Sequence, residues 1–154
     1  WQEWREQHSL DWHLLEQPEH RALLDLNRDL NHLYRENPAL HAGDTDPAGF
    51  AWIDLHNGDQ SVFAFLRRSP LHPDRPPLLC VFNCTPVPRE AYWLGVPAAG
   101  TYRKVLDTDA ARFGGSGFNQ QERVVSQLAP CQGYPCHIRL DLPPLGALFF
   151  ELAD

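Results

Sequence analysis

The chain is organised around one stretch, which reads Asn83-Cys84-Thr85-Pro86-Val87-Pro88-Arg89-Glu90. It follows residues 78–82, a run of five apolar residues that is typical of a fully buried strand. Pro86 and Pro88 then end the sheet ladder, because proline has no backbone N–H to donate. Residues 91–96 have strand composition again. The sequence therefore predicts a buried central strand, a rigid turn and a second strand that returns from it.

Outward from this pair, strand and turn signals alternate from Phe50 to the end of the chain. The predicted strands cover residues 50–55, 60–67, 101–107, 122–126, 137–142 and 147–152. Asn57-Gly58 predicts a hairpin turn, since both residues tolerate a positive φ. Residues 60–67 are apolar on both faces, which indicates a central strand. About eight short strands separated by turns predict a mostly β fold, an antiparallel β-sandwich or barrel.

Residues 18–36 are the clearest helix in the sequence. Pro18 suits its first turn, and Pro38 ends it by disfavouring the helical conformation at the preceding residue. Its apolar positions fall on one side and are Leu23, Leu26, Leu30, Leu33 and Tyr34. This stripe must pack on another element, and the following sheet is one candidate. A turn-rich linker begins at residue 37, so the expected domains are 1–41 and 42–154.

Composition narrows the classes of partner. The net charge of −7 argues against nucleic acid and against an anionic membrane. No apolar run approaches the roughly 18 residues of a membrane span, and the first residues do not form a signal peptide. The chain starts at Trp1 and contains no methionine, so we expect a fragment or a processed product. A reduced, cytoplasmic protein is the expectation.

Four cysteines are ordinary usage for this length. Cys80 and Cys84 have the even spacing of small hydrophobic residues on one strand face. Cys131 and Cys136 flank a short loop and could pair if oxidised. The eight histidines share no predicted helix face, so we expect no metal and no cofactor.

Tryptophan is the residue type that most suggests a ligand. Trp1, Trp4 and Trp12 lie within twelve residues, and indole rings stack on sugar rings. Spacing alone favours the other interpretation, in which these side chains fill a domain interface. Within the β region, Trp52 shares a strand face with Phe50 and is the best candidate for a sugar-docking platform. Burial of that face in the core is the favoured interpretation.

Carboxylates are the second residue type to consider, because glycoside chemistry depends on pairs of them. Asp107 and Asp109 flank a turn, and Asp44 and Asp46 lie in the linker. Neither pair is framed by a barrel, so both are interpreted as solvated turn carboxylates. Residues 114–117, Gly-Gly-Ser-Gly, are interpreted as a flexible surface loop and not as an anion site. The sequence predicts no catalytic residue within this chain.

Several motifs in a fixed order resemble the C-terminal portion of bacterial glycogen branching enzymes of the α-amylase superfamily. They are Trp1-Gln2-Glu3-Trp4, residues 9–15 (SLDWHLL), 26–34 (LNRDLNHLY), 83–89 (NCTPVPR), 107–117 (DTDAARFGGSG) and 142–145 (LPPL). The resemblance implies that residues 1–41 are the end of a catalytic (β/α)₈ barrel and that 42–154 are the C-terminal all-β domain. It also implies that Trp1, Glu3 and Trp4 line the active-site cleft.

The implied reaction of the parent enzyme moves an α-1,4 glucan segment onto a glucan 6-hydroxyl, with retention through a covalent glycosyl enzyme. The family's catalytic carboxylates lie upstream of Trp1, so this chain alone is expected to be inactive. Its implied partners are an α-glucan, such as glycogen or amylose, and the remainder of the barrel. The alternatives are a stand-alone noncatalytic glucan-binding module, a related debranching or trehalose-forming enzyme, and an interaction domain without sugar contact.

Overall fold

The computed structural model describes residues 6–153. One α-helix, α1 (Pro18–Glu36), precedes eight strands in this part of the chain. The strands are β1 (Phe50–Asp54), β2 (Val62–Arg67), β3 (Leu78–Asn83), β4 (Arg89–Val96), β5 (Thr101–Asp107), β6 (Arg123–Val125), β7 (Cys136–Leu142) and β8 (Gly146–Ala153). Short 3₁₀ turns are formed by Trp12–Glu16, Pro38–Leu40, Pro47–Gly49 and Ala111–Phe113.

The strands form two sheets that face each other. The larger sheet has the order β1-β2-β3-β8-β5-β6, and the smaller one consists of β4 and β7. All pairings are antiparallel. The core between the sheets contains Leu66, Leu79, Val81, Leu148 and Phe150 from the larger sheet, and Leu94, Ile138, Leu140 and Leu142 from the smaller one. The predicted mostly β, antiparallel sandwich is confirmed.

Strand β2 lies between β1 and β3, as its two apolar faces predicted. Val62, Ala64 and Leu66 face the core and are buried, while Phe63 and Phe65 on the other face are half-buried. Strand β1 pairs only with β2 and is therefore an edge strand. Its inward face carries Ala51 and Ile53, which pack on the core between the sheets.

The turn after β3 does not return the chain along that strand. Strand β3 pairs with β2 and β8, and β4 pairs with β7 in the other sheet. The expected strand pair around Pro86 and Pro88 is therefore wrong, although both strands are present. The turn carries the chain across the core, from one sheet to the other. Local composition identifies a strand, but its partner depends on residues far away along the chain.

The hairpin between β1 and β2 is present, but its turn differs from the prediction. Neither Asn57 nor Gly58 has a positive φ, whereas Ser61 does, at 50°. The amides of Ser61 and Val62 donate to the carbonyl oxygens of Gly58 and Asn57, respectively. The Asn57 side chain also donates to the hydroxyl of Tyr92. In this longer turn Asn57 bonds to Tyr92 on β4, a contact that the local sequence does not predict.

Helix α1 has the predicted bounds, with Pro18 in its first turn and Asn37 in an extended conformation at its end. Its side chains Leu26, Leu30 and Leu33 pack on the outer face of the larger sheet, in a second apolar cluster that contains Leu78 and Phe149. The sheet covers only part of the apolar stripe, however. Leu23 remains 59% exposed and Tyr34 remains 50% exposed.

The linker after α1 is attached to the sheet by Arg67. Its guanidinium donates to the carbonyl oxygens of Ala39 and Leu40 and forms an ion pair with Asp44. Asp46 caps the next 3₁₀ turn by accepting a hydrogen bond from the amide of Ala48. The linker carboxylates thus stay near solvent, as predicted, and hold the backbone of the linker.

All four cysteines are free thiols, and no pairing of Cys131 with Cys136 is formed. Cys80 is buried in β3, as its spacing predicted, and burial raises the pKa of its thiol to about 12. Cys84 is exposed, because β3 ends at Asn83 and the even spacing does not continue into the turn. Within residues 6–153, no helix is both long and apolar enough to cross a membrane.

Candidate functional site

One end of the sandwich brings together the three later motifs of the sequence. Asn83 is almost fully buried, and its side-chain amide donates to the carbonyl oxygens of Val87 and Pro143 at 2.8 and 2.9 Å. Its side-chain oxygen accepts from the amide and the hydroxyl of Thr85. The amide of Leu145 in turn donates to the carbonyl oxygen of Thr85. Asn83 therefore holds both proline-rich turns in place.

The glycine-rich loop at the same end is closed around Asp109. Its carboxylate accepts from the amide of Ser116 at 2.9 Å, the hydroxyl of Ser116 at 2.5 Å and the amide of Phe118 at 3.3 Å. Gly115 lies so near that a Cβ there would be 2.2 Å from the carbonyl oxygen of Asp109. The amides of Gly114, Gly115 and Gly117 donate instead to backbone carbonyl oxygens of residues 109–111, so the whole loop is hydrogen-bonded, and its flexibility stays a prediction.

The prediction that Asp107 is a solvated turn carboxylate is wrong. Asp107 is buried at the end of β5, accepts from the amide of Asp109 and lies 3.8 Å from the ammonium group of Lys104. Burial raises the pKa of the Asp107 carboxyl, and the amide of Asp109 and the charge of Lys104 oppose that rise. These contacts explain the Asp-Thr-Asp motif by loop closure.

Trp52 lies on the outer face of edge strand β1 and is 46% exposed. The interpretation that favoured its burial is therefore wrong, since β1 has no neighbour on one side and α1 covers other strands. The ring of Phe50 contacts it edge-on at 4.9 Å between centroids, and that of Phe65 does so at 5.9 Å. The indole is thus supported by two phenyl rings while a large part of it reaches solvent.

The aromatic surface continues beyond Trp52 across the outer face of the larger sheet. Phe63 and Phe82 stack almost in parallel with centroids 4.7 Å apart, and Phe65 stacks on Phe82 at 5.7 Å. All three are half-buried. We call the group formed by Phe50, Trp52, Phe63, Phe65 and Phe82 the aromatic face. Sequence alternation predicted an apolar face for β2, but the joining of three strands into one surface needed the sheet order.

A polar network that the sequence did not reveal lies behind Trp52. The hydroxyl of Tyr92 donates to a carboxylate oxygen of Asp54 at 2.6 Å, and the side chain of Gln132 donates to the same oxygen at 2.9 Å. The hydroxyl of Tyr134 donates to the carbonyl oxygen of Trp52. Partial burial, followed by the bond to Asp54, raises the pKa of Tyr92 to about 12. This network joins the edge of β1 to β4.

The remaining site predictions fall at the start of the chain. Trp1, Glu3 and Trp4 lie outside the described residues, so their role in lining a cleft stays a prediction. Trp12 lies in the 3₁₀ turn before α1 and is 61% exposed. Among residues 6–153, no group of three His, Cys, Asp or Glu side chains is arranged to hold a metal ion.

Comparison with known proteins agrees with this architecture. Residues 52–153 match the family described as alpha amylase, C-terminal all-beta domain. An alpha-amylase from H. orenii has a similar fold, with a TM-score of 0.52 and 18% identity over 90% of this chain and 22% of that one. The likeness to this amylase concerns the fold alone.

Curated relatives are similar over nearly the whole chain. The protein from Thiobacillus denitrificans named 1,4-alpha-glucan branching enzyme GlgB is 46% identical over 98% of this chain. A protein of the same name from Roseobacter denitrificans is 48% identical over 99% of it. The chain spans only 20% of the length of each of these two relatives. The match over residues 52–153 shows that the chain belongs to the alpha-amylase C-terminal all-β domain family.

Proposed function

We propose that the chain is the C-terminal part of a glycogen branching enzyme. In this proposal, residues 1–41 complete a catalytic (β/α)₈ barrel and residues 42–154 form the all-β domain beside it. The parent enzyme cleaves an α-1,4 glucan onto a carboxylate and transfers the segment to a glucan 6-hydroxyl, with two displacements and net retention. The carboxylates of that reaction lie upstream of Trp1, and the protein is cytoplasmic.

The observation that carries this proposal is the incomplete covering of helix α1. The helix presents one apolar stripe, but the sheet contacts it along Leu26, Leu30 and Leu33 only. Leu23 and Tyr34, at the other margin of the stripe, stay at least half exposed. An amphipathic helix is stabilised mainly by burying its whole stripe. The exposed margin therefore fits a second partner, which in a barrel is the neighbouring strand and helix.

In this proposal, α1 begins on the face of the barrel that carries the active site. The stretch of α1 from Ala22 to Asp29 lies beside the Asp109 loop, where Arg112 pairs with Asp29 at 2.5 Å and Gly114 faces Ala22. The end of α1 lies near the start of β3, where Ala39 joins the cluster around Leu78. In (β/α)₈ enzymes the helices begin on the face that carries the active site. The preceding segment, with Trp1, Glu3 and Trp4, would then lie on the catalytic side and line the cleft.

Trp52 is proposed as a glucan-docking residue of the all-β domain. Its half-exposed indole and the adjacent Phe50 offer an apolar surface that suits the C–H face of a glucosyl ring. The same exposure supports a second candidate, a stand-alone glucan-binding module without a barrel. An immunoblot of the source cells separates the two candidates, because a free module would run at 17.6 kDa and the enzyme at several times that mass.

The barrel assignment can be tested by complementation. This chain is co-expressed with the part of the Thiobacillus denitrificans relative that precedes the matched region, and branching is followed by the loss of the iodine–amylose colour. We expect branching from the pair and none from this chain alone. Activity of the purified chain alone, or no activity of a co-purifying pair, would contradict the proposal.

A matched pair of variants makes that test specific to the exposed stripe. Leu23→Asp should abolish co-purification and branching, because it places a charge at the expected barrel contact. Arg35→Gln changes the net charge by the same amount, on a side of the helix about 120° away from Leu23. This variant should still co-purify and support branching. Equal behaviour of the two variants would reject the stripe as the barrel contact.

A further inference from the structure

The outer face of the smaller sheet carries a second exposed tryptophan, Trp93. It lies on β4 and is 48% exposed, which matches the exposure of Trp52 on the other sheet. The next position along β4 behaves differently, since Leu94 faces the core and is fully buried. Helix α1 packs on the larger sheet, so its expected barrel partner lies on that side and leaves Trp93 to solvent.

The indole of Trp93 is held in one orientation by the side chain of His137. The imidazole of His137 stacks on it in parallel, with centroids 4.4 Å apart and planes 6° apart. His137 is buried, and its Nδ1 is 3.0 Å from the carbonyl oxygen of Ala129, to which it donates. The Gln132 side chain also donates to the carbonyl oxygen of Trp93. A ligand that stacks on this indole would meet a surface already ordered in the free protein.

The guanidinium of Arg139 lies over the Trp93 ring in the free protein and is the polar group of this site. Its central carbon lies 4.6 Å from the ring centroid of Trp93, and the two residues are direct cross-strand neighbours. Arg139 is exposed, so its guanidinium can move aside and donate several hydrogen bonds to hydroxyl groups. The net charge of −7 repels polyanions, which favours a neutral ligand at this cation.

We propose that Trp93 and Arg139 form a surface site for neutral α-1,4-linked glucosyl units, with the sugar ring stacked on the indole and its hydroxyls bonded to the guanidinium. The choice of an α-glucan rests on the proposed function, but the site is separate from Trp52, which lies on the other sheet. A branched glucan can touch both faces of the domain at once. Two linked contacts raise the overall affinity for the polymer above that of either contact alone.

The experiment is a titration of the full chain with maltoheptaose and with glycogen. The indole N–H signal of Trp93 is assigned by NMR through its loss in Trp93→Ala. We expect maltoheptaose to shift that signal, and we expect Trp93→Ala to weaken binding about tenfold. Trp93→Tyr, which keeps an aromatic ring, should retain most of the affinity. The control Leu71→Ala removes an exposed apolar side chain from the loop between β2 and β3 and should bind normally.

Each outcome has a defined meaning. Normal binding by folded Trp93→Ala, or an unshifted Trp93 signal in the wild-type chain at saturating maltoheptaose, overturns the site. If Trp93→Ala does not fold, the missing indole signal of Trp93→Tyr supplies the assignment, and the shift of the wild-type signal with maltoheptaose decides instead. A loss of binding in Trp52→Ala alone rejects this inference and leaves the proposed function intact. Trp93-dependent binding without branching in the complementation test rejects only the barrel assignment.

Discussion

The side-chain amide of Asn83 donates a 2.9 Å hydrogen bond to the carbonyl oxygen of Pro143, sixty residues further along the chain. The bond ties the end of β3 to the turn after β7, so it joins the two sheets at one end of the sandwich. Asn83 makes three further hydrogen bonds with the turn that follows it. Among the other side chains, only the longer glutamine offers the same two donors and one acceptor.

Replacing Asn83 by aspartate should therefore be strongly destabilising. The variant places carboxylate oxygens against two buried carbonyl oxygens, and we expect a loss of about 3 kcal/mol in the free energy of unfolding. Urea unfolding followed by circular dichroism measures it. The matched change Asn31→Asp is on the exposed surface of α1 and should alter stability by less than about 0.5 kcal/mol. Similar values for both variants would refute the role of Asn83 in holding the two turns together.

Gly95 should not tolerate a side chain. An added Cβ would lie 2.3 Å from the carbonyl oxygen of Cys131, because the loop before β7 crosses directly over β4. We expect Gly95→Ala to cost about 1–3 kcal/mol, through displacement of that loop. Gly58→Ala is the control, since an added Cβ there would meet no atom within 4 Å and the φ of Gly58 is not positive. Unchanged thermal unfolding of Gly95→Ala would show that the loop yields without cost.

The Tyr92 hydroxyl should make stability fall at high pH. Its pKa is raised to about 12 in the folded chain, against an ordinary value of 10.0. The unfolded chain thus loses this proton first, so the contribution is complete below pH 10 and is lost as pH rises toward 12. Tyr92→Phe should be less stable than wild type at pH 8, by about 1 kcal/mol for the lost bond to Asp54.

The pH test compares the two proteins under reducing conditions. The melting temperature of the wild type should exceed that of Tyr92→Phe at pH 9, and this difference should shrink by pH 11, because only the wild type carries the Tyr92 proton. Burial also raises the pKa values of Tyr102 and Cys80, and these groups lower the stability of both proteins alike. A constant difference between wild type and Tyr92→Phe over this range would mean that Tyr92 does not titrate with unfolding.

Arg67 should control how firmly the linker holds to the sheet. Its guanidinium contacts the carbonyl oxygens of Ala39 and Leu40 and the carboxylate of Asp44. Arg67→Met keeps much of the apolar stem and removes these contacts, so a broad-specificity protease should cut residues 37–49 several-fold faster. The neighbouring change Arg68→Met should leave the rate unchanged, because only its backbone amide bonds to the linker, at Gly49. Equal rates for both variants would count against this role.

Local sequence was sufficient for most element bounds. Helix α1 and strand β5 have the bounds that proline placement and apolar spacing predicted. The partner of β4 was not predictable, because strand pairing depends on packing across the core between residues far apart along the chain. The same holds for the Asp107 carboxylate, whose burial follows from the loop that closes over it. Resemblance, carried by ordered motifs, gave the family.

The candidate site divides in the same way. The type of residue at Trp52 and Trp93 and the alternation along their strands are properties of the sequence, and they place each indole on one side of its strand. Exposure is a different property, because it depends on which face of each sheet another element covers. Strand β1 is an edge strand and α1 packs away from it. On the smaller sheet, the loop before β7 covers Gly95, and His137 is buried, while Trp93 stays exposed. Periodicity follows from backbone geometry that each residue carries by itself, whereas exposure and partner choice follow from contacts between residues that only folding brings together.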